Sequence, residues 1–138
     1  MSKPLNCILL IDDNEHDNFF HERAIGKNNT GTLVVIKENG EAALDYLRSN
    51  KDTDTHPDLI FLDINMPHMN GWEFLDAYSK LDKELQSRAI IIMLTTSGNP
   101  EDEAKAKTWS SVADFITKPL TKEILKEITD KYFNAAAN

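Results

Sequence analysis

The chain has 138 residues, 41% of them hydrophobic and 28% charged, which favours one globular domain with a core of its own. The formal net charge of −8 argues against a nucleic-acid-binding surface, which needs a basic patch. No apolar stretch approaches the roughly 18 residues that cross a bilayer, and Cys7, the only cysteine, has no partner for an internal disulfide. We therefore predict a single cytoplasmic domain over residues 1–138 that contacts neither nucleic acid nor membrane.

Five apolar segments with the length of strands alternate along the chain with five helical patterns. The strand candidates are Asn6–Ile11, Thr32–Lys37, Leu59–Asp63, Ala89–Leu94 and Asp114–Ile116. The helix candidates that follow them in turn are Glu15–Lys27, Gly40–Ser49, Trp72–Lys83, Pro100–Ser110 and Thr121–Phe133. Such strict alternation is typical of a parallel sheet with right-handed crossovers and helices on both faces, so we predict an α/β fold.

Local signals support two of the helix starts. Asn99-Pro100 supplies an N-cap residue followed by proline at the first helical position. Asn70-Gly71 is a turn signal directly before the third helix candidate.

Acidic residues follow two wholly apolar segments. Asp63 ends Leu59-Ile60-Phe61-Leu62, and Asp12 and Asp13 follow Ile8-Leu9-Leu10-Ile11. These runs predict strands buried on both faces, and parallel strands bring the residues at their carboxyl ends to one edge of the sheet. Three carboxylates at that edge would repel one another unless a cation lay between them, and carboxylate oxygens suit Mg²⁺.

The fourth and fifth strand candidates bring a hydroxyl and an amine to the same edge. Thr95 and Thr96 follow the fourth strand candidate, and Lys118 follows the fifth. A hydroxyl and an ammonium group suit the oxygens of a phosphoryl group. Asp63, at the end of the most apolar strand, is placed to act as a nucleophile and form a carboxyl phosphate, while a metal ion neutralises charge.

Four motifs carry these side chains. In chain order they are Ile11-Asp12-Asp13-Asn14, Leu62-Asp63-Ile64-Asn65-Met66-Pro67 with Gly71, Leu94-Thr95-Thr96-Ser97 and Phe115-Ile116-Thr117-Lys118-Pro119. With these motifs and their spacing the chain resembles the receiver domain of two-component response regulators over nearly its whole length. The stretch Leu94–Asp102 also looks like that of stand-alone receivers paired with phytochrome-type or hybrid sensor kinases.

The resemblance implies a flavodoxin-like five-stranded sheet of order 2-1-3-4-5 and a single receiver domain without an effector domain. It implies that Asp63 accepts a phosphoryl group from a sensor histidine kinase or a phosphotransfer domain. It also implies that Asp12, Asp13, Asp63 and the Asn65 carbonyl bind Mg²⁺, with Asp13 the more direct acidic ligand.

The same resemblance implies a conformational switch. Thr95 would turn toward the phosphoryl group, Phe115 would change between outward and inward rotamers, and Lys118 would pair with a phosphoryl oxygen. A cis peptide bond before Pro119 would aim Lys118. The surface made by the fourth helix candidate and the fifth strand and helix candidates would then bind a downstream protein, a second copy of the chain in a homodimer, or the next phosphotransfer domain.

The sequence departs from the family's common pattern at three positions. Thr96 follows the switch hydroxyl where a small residue is usual, which predicts narrower access to the phosphoryl group. Ser111 occupies a position where glycine is usual, which predicts a strained left-handed backbone there. Phe115 lacks the hydroxyl of the commoner tyrosine, so a hydrogen-bonded form of the switch is not expected.

Other candidate residues have ordinary structural explanations. His16, His21, His56 and His68 have no paired spacing, so we predict surface positions for them rather than a metal site. Trp72 and Trp109 lie in helical patterns and are expected to pack against the domain rather than hold a cofactor.

Two other functions use the same residues. A phosphatase or phosphotransferase with an aspartyl-phosphate intermediate commonly needs a second acid two residues after its nucleophile, where this chain has Asn65. A degenerate receiver, kept only for constitutive binding, would lack some of the key side chains, whereas all of them are present. We therefore expect a phosphorylation-dependent signalling switch whose only catalysis is its own phosphorylation and dephosphorylation.

Overall fold

The structure, a computed structural model, describes residues 5–28, 31–86, 89–96 and 98–133. Five parallel strands form one sheet in the order β2-β1-β3-β4-β5. The strands are β1 (Cys7–Ile11), β2 (Leu33–Lys37), β3 (Leu59–Asp63), β4 (Ile90–Thr95) and β5 (Val112–Thr117). The predicted flavodoxin-like fold class and strand order are therefore confirmed.

Helices cover both faces of this sheet. They are α1 (Glu15–Asn28), α2 (Gly40–Ser49), α3 (Gly71–Tyr78), the short α4 (Lys83–Gln86), α5 (Pro100–Ala106) and α6 (Lys122–Tyr132). Residues of α2 to α5 pack in one buried cluster and residues of α1 and α6 in another. None of the helices in the described ranges is both long and apolar enough to cross a bilayer.

The strands supply both clusters because successive side chains of a strand point to opposite faces of the sheet. In β1, Leu9 and Ile11 belong to the cluster beneath α2 to α5, and Ile8 and Leu10 to the one beneath α1 and α6. Every residue of β1 and β3 is buried, as their unbroken apolar runs predict. Both strands are thereby fixed in the centre of the sheet, with their carboxyl ends side by side.

Side chains cap the helices where the sequence predicts starts. Asn99 Oδ1 accepts a hydrogen bond from Glu101 N at 2.8 Å at the start of α5. Before α3, Asn70 Oδ1 accepts from Glu73 N and Glu73 Oε1 accepts from Asn70 N, both at 2.9 Å. This reciprocal capping box satisfies two backbone donors that a helix start leaves unpaired.

The predicted helix Trp72–Lys83 was wrong at its C-terminal end. The α3 helix ends at Tyr78, and a tight turn leads into α4. Gln86 Nε2 donates to the carbonyls of Leu81 at 2.7 Å and Ser79 at 3.2 Å, so a side chain from α4 satisfies carbonyls of the turn. The apolar periodicity continues through this turn, which is why the sequence predicts a single helix.

Two predictions about single residues were also wrong. His21 and His56 are buried, at 2% and 3% exposure, whereas His16 and His68 are exposed as predicted. His21 lies on the inner side of α1, and His56 is held by a contact of 2.9 Å between Nδ1 and the Pro57 carbonyl oxygen.

The expected strain at Ser111 is absent. Among the described residues other than glycine, only His68 has a positive φ, of 68°. The turn before β5 therefore forms without a left-handed backbone at Ser111.

Candidate functional site

The carboxyl ends of four strands bring the predicted site residues together. Asp12 and Asp13 directly follow β1, and Asp63 and Thr95 are the last residues of β3 and β4. Lys118 directly follows β5, and its backbone N donates to the Thr95 carbonyl at 2.6 Å, which joins the ends of β4 and β5. The peptide bond between Lys118 and Pro119 is cis, as expected.

The three predicted acids form one cluster. Asp12, Asp13 and Asp63 each offer a carboxylate oxygen within 4.8 Å of the other two. Asp12 and Asp63 are buried, at 4% and 6% exposure, whereas Asp13 is exposed. Three anionic oxygens converging at this distance are the donor set that a hard divalent cation such as Mg²⁺ prefers, so the residues fit the ion that the sequence predicts.

Lys118 places its ammonium group against this cluster. Its Nζ lies 2.7 Å from Asp12 Oδ2, 2.8 Å from Asp17 Oδ2 and 3.1 Å from Asp63 Oδ1. The side chain of Lys118 is 8% exposed, so water screens these charge-assisted contacts little. Lys118 thus supplies the positive charge that lets buried carboxylates coexist.

Burial and neighbouring charge shift the pKa values of the central pair. Burial first, and then the charge of Asp12, raises the pKa of Asp63 to about 6, although Lys118 opposes the change. Burial by itself would lower the pKa of Lys118, but its hydrogen bonds to Asp12 and Asp17 and the charge of Asp63 raise it above its ordinary value. At neutral pH the site therefore contains an ionised Asp63 carboxylate beside a permanent ammonium group.

The two acids that follow β1 differ in hydrogen bonding and in exposure to solvent. Asp12 Oδ1 accepts a hydrogen bond from Asn14 N at 3.0 Å, and Asp12 Oδ2 accepts from Lys118. Asp13 is exposed and reachable from solvent. This contrast favours Asp13 as the more direct metal ligand.

The loop after β3 holds Asp63 in place. Gly71 N donates to the Ile64 carbonyl at 2.8 Å, which closes the loop onto the start of α3. A Cβ atom at Gly71 would lie 2.9 Å from the Asp63 carbonyl oxygen and 3.0 Å from Ile64 Cα, so only glycine allows this approach. Asn65, whose carbonyl is a predicted metal ligand, lies exposed in the same loop.

The two threonines and the predicted switch aromatic have distinct environments. Thr95 is buried at 2% exposure whereas Thr96 is exposed, so Thr95 is the inward hydroxyl. Ser97, the last residue of that motif, lies outside the described residues. Phe115 is half-buried on β5 and lines both an open groove of about 400 Å³ beside α6 and a smaller cavity of about 90 Å³ beside α5.

Sequence reasoning missed three polar residues of α1 that belong to the site. Besides the Asp17 contact with Lys118, Asn18 Nδ2 donates to the Asp12 carbonyl at 2.8 Å. Burial, and then the charge of Lys118, lowers the pKa of His21. The available signal was the polar character of positions 17, 18 and 21, which share the inward side of α1 with the buried Ala24 and Ile25.

Comparisons with known proteins agree on one family. The sequence model described as the response regulator receiver domain matches residues 8–130. One curated relative, the protein-glutamate methylesterase/protein-glutamine glutaminase 3 of Burkholderia thailandensis, is 35% identical over 112 residues. The match covers 81% of this chain but only 29% of that protein's length.

Solved structures are similar over almost the whole chain. A two-component response regulator from Cytophaga hutchinsonii is 30% identical, with a TM-score of 0.86, and the match covers 94% of this chain and 97% of that one. The bacteriophytochrome response regulator AtBRR is 28% identical, with a TM-score of 0.74, and the match covers 92% of both chains. The fold of this chain is therefore similar to those of both response regulators.

Proposed function

The chain belongs to the family of response regulator receiver domains of two-component systems, and from that premise we propose that Asp63 is its phosphoryl acceptor. The donor is a sensor histidine kinase or a phosphotransfer domain, and the reaction takes place in the cytoplasm and requires Mg²⁺. The observation that carries the proposal is the 3.1 Å contact between Lys118 Nζ and Asp63 Oδ1 within the cluster of three carboxylates.

The chemistry is a transfer of one phosphoryl group between two residues. An Asp63 carboxylate oxygen attacks phosphorus, a new O–P bond forms, and the N–P bond of the donor phosphohistidine breaks with its electrons returning to the imidazole. Asp12, Asp13, Asp63 and the Asn65 carbonyl would hold Mg²⁺, which would neutralise charge on the phosphoryl oxygens. The Lys118 ammonium pairs with a phosphoryl oxygen and so stabilises the charge that develops during transfer.

The conformational output follows from the same phosphoryl group. The Thr95 hydroxyl turns toward it, and Phe115 moves into the space beside α5. The surface of α5, β5 and α6 then takes the shape that a downstream protein or a second copy of the chain binds. A shift of this kind needs contacts that differ between the two states, and Thr95 and Lys118 provide them.

An enzymatic function of the phosphatase type has less support. Asn65 stands two residues after Asp63, where a second acid would be needed, and an amide cannot transfer a proton as a carboxyl does. The methylesterase named above is an enzyme, but the match covers only 29% of that protein. Multiple turnover on a phosphomonoester would be needed to revive this alternative.

Acetyl phosphate tests the proposal without a kinase. We expect the protein to gain one phosphoryl mass by intact-mass spectrometry in Mg²⁺ and none in excess chelator, because the metal neutralises the incoming charge. Asp63→Asn should remove the gain, whereas Asp130→Asn, which changes an exposed acid of α6, should keep it. A chelator-insensitive gain, or an equal gain in Asp63→Asn, would refute the assignment.

A further inference from the structure

Asp17 contacts the functional lysine from outside the carboxylate cluster. Its Oδ2 lies 2.8 Å from Lys118 Nζ, although its side chain remains 33% exposed. Asp17 is not among the three acids whose oxygens converge within 4.8 Å. It is therefore a partner of the lysine without being a candidate ligand of the metal.

The ammonium group of Lys118 donates hydrogen bonds to Asp12 and Asp17 and forms an ion pair with Asp63. A lysine ammonium has three N–H bonds, and Asp12, Asp17 and Asp63 each lie within 3.1 Å of Nζ. In the proposed reaction Asp12 would hold the metal and Asp63 would become an acyl phosphate, so both contacts with the lysine would weaken. Asp17 is the one partner that the reaction leaves unchanged.

The start of α1 holds Asp17 in a fixed place. Asp17 N donates to Asn14 Oδ1 at 3.0 Å, and the neighbouring Asn18 side chain is bonded to the Asp12 carbonyl at 2.8 Å. A carboxylate in the first turn of a helix also interacts favourably with the helix dipole. These bonds hold the backbone of Asp17 beside the end of β1, from where its carboxylate reaches Lys118.

We propose that Asp17 is a positioning residue that keeps the Lys118 ammonium aimed at the phosphoryl group while the lysine's other two partners are engaged by metal and phosphate. This inference rests on the proposed function, since it assigns the residue that orients a group of that same site. Without Asp17, the long and flexible lysine side chain would sample more rotamers, and fewer of them would reach the phosphoryl oxygen.

A double-mutant cycle isolates this role. The four proteins are the wild type, Asp17→Asn, Lys118→Met and the double variant, and the quantity is the rate of labelling by acetyl phosphate at saturating Mg²⁺. Because hydrogen bonds to charged groups are the strong ones, Asp17→Asn should slow labelling about tenfold in the wild-type background. In the Lys118→Met background it should change the rate less than about twofold, since no ammonium remains to be aimed.

A second readout does not depend on the reaction. In metal-free protein, urea unfolding of the same four proteins measures whether Asp17 and Lys118 are coupled. If they are, the change in the unfolding equilibrium constant caused by the double substitution should differ about tenfold from the product of the changes caused by the two single substitutions. Asp130→Asn, which removes the carboxylate partner of the exposed Lys126, is the matched control and should leave the labelling rate unchanged. Asp17→Glu, which keeps the charge, should restore part of the rate.

Three outcomes would overturn the inference. The first is that Asp17→Asn is labelled as fast as the wild type or faster. The second is that Asp17→Asn slows labelling by the same factor with Lys118 and with Met at position 118. The third is that the effects of the two single substitutions on the unfolding equilibrium constant multiply to give the effect of the double substitution. In each case the wild type would still be labelled, so the proposed function would stand. A wild type that takes no label at all would overturn the proposed function and this inference together.

Discussion

Asp63 is a buried acid whose folded environment resists its ionisation. Burial and the charge of Asp12 raise its pKa to about 6, and Lys118 offsets only part of that shift. Between its ordinary pKa near ~4 and 6, the folded protein binds more protons than the unfolded chain. The contribution of Asp63 to the free energy of unfolding therefore falls as the pH rises through this window.

Replacing Asp63 by asparagine should accordingly stabilise the metal-free protein at neutral pH. The amide keeps the shape of the side chain but has no charge to bury, so we expect a gain on the order of 1–3 kcal/mol at pH 7.5. The gain should shrink toward pH 4, where the wild-type carboxyl is protonated. Urea unfolding at both pH values measures it, and a variant less stable than the wild type at pH 7.5 would contradict the argument.

At this scale the sequence predicted the residues that follow strands but not those that lie on a helix. Asp12, Asp13, Asp63, Thr95 and Lys118 were found because apolar runs place them at one edge of a parallel sheet. Asp17, Asn18 and His21 were missed because a polar side chain in a helix ordinarily faces solvent. Only the tertiary packing of α1 beside Lys118 turns them inward.

At the scale of elements, the junction between β3 and α3 is set by backbone proximity. Gly71 lies so close to Asp63 and Ile64 that a side chain cannot fit without moving main-chain atoms. Gly26, in α1, differs from it because a Cβ atom there would meet nothing within 4 Å. The two glycines thus form a matched pair for substitution.

Gly71→Ala should destabilise the protein by about 1–3 kcal/mol, because the added methyl overpacks a rigid backbone junction. It should also slow phosphorylation by acetyl phosphate, because the added methyl group would displace the main-chain carbonyl of Asp63. Gly26→Ala should instead stabilise the protein by about 0.5–1 kcal/mol, through reduced backbone entropy of the unfolded chain. Thermal unfolding of both variants is the measurement, and equal effects would show that the close approach at Gly71 is unimportant.

The sequence predicted the five strands and five of the helices in their order, but it missed α4 and placed the end of α5 at Ser110 instead of Ala106. Apolar runs identified all five strands, and Asn70 and Asn99 marked two of the helix starts. The end of α3 at Tyr78 was missed because the turn that follows is stabilised by Gln86. Such a contact leaves no local pattern in the sequence.

At the scale of the whole molecule, the site and the proposed output surface share strand β5. Lys118 directly follows β5, whose residues, including Phe115, line the groove beside α6. The hydrogen bond from Lys118 N to the Thr95 carbonyl joins this strand to the end of β4. A change at Asp63 can therefore reach that surface through contiguous residues of one sheet. The smaller cavity beside α5 supplies part of the space that Phe115 would need in an inward rotamer.

Thr95→Ala tests whether the hydroxyl links the two regions. Phosphorylation should alter hydrogen exchange in residues 98–133 of the wild type, because α5, β5 and α6 rearrange. In Thr95→Ala the exchange change should largely disappear although Asp63 is still labelled, since no hydroxyl turns toward the phosphoryl group. Thr96→Ala is the matched control and should preserve the change. Its loss in Thr96→Ala alone would reassign the switch to Thr96.

The position of the phosphoryl group tests the central claim most directly. After reaction with acetyl phosphate in Mg²⁺, borohydride reduction converts a phosphorylated aspartate to homoserine, which tandem mass spectrometry of peptides can locate. The arrangement of Lys118 and the three carboxylates predicts homoserine at position 63 and at no other aspartate. Homoserine at Asp12, Asp13 or Asp17, with Asp63 unmodified, would contradict the account.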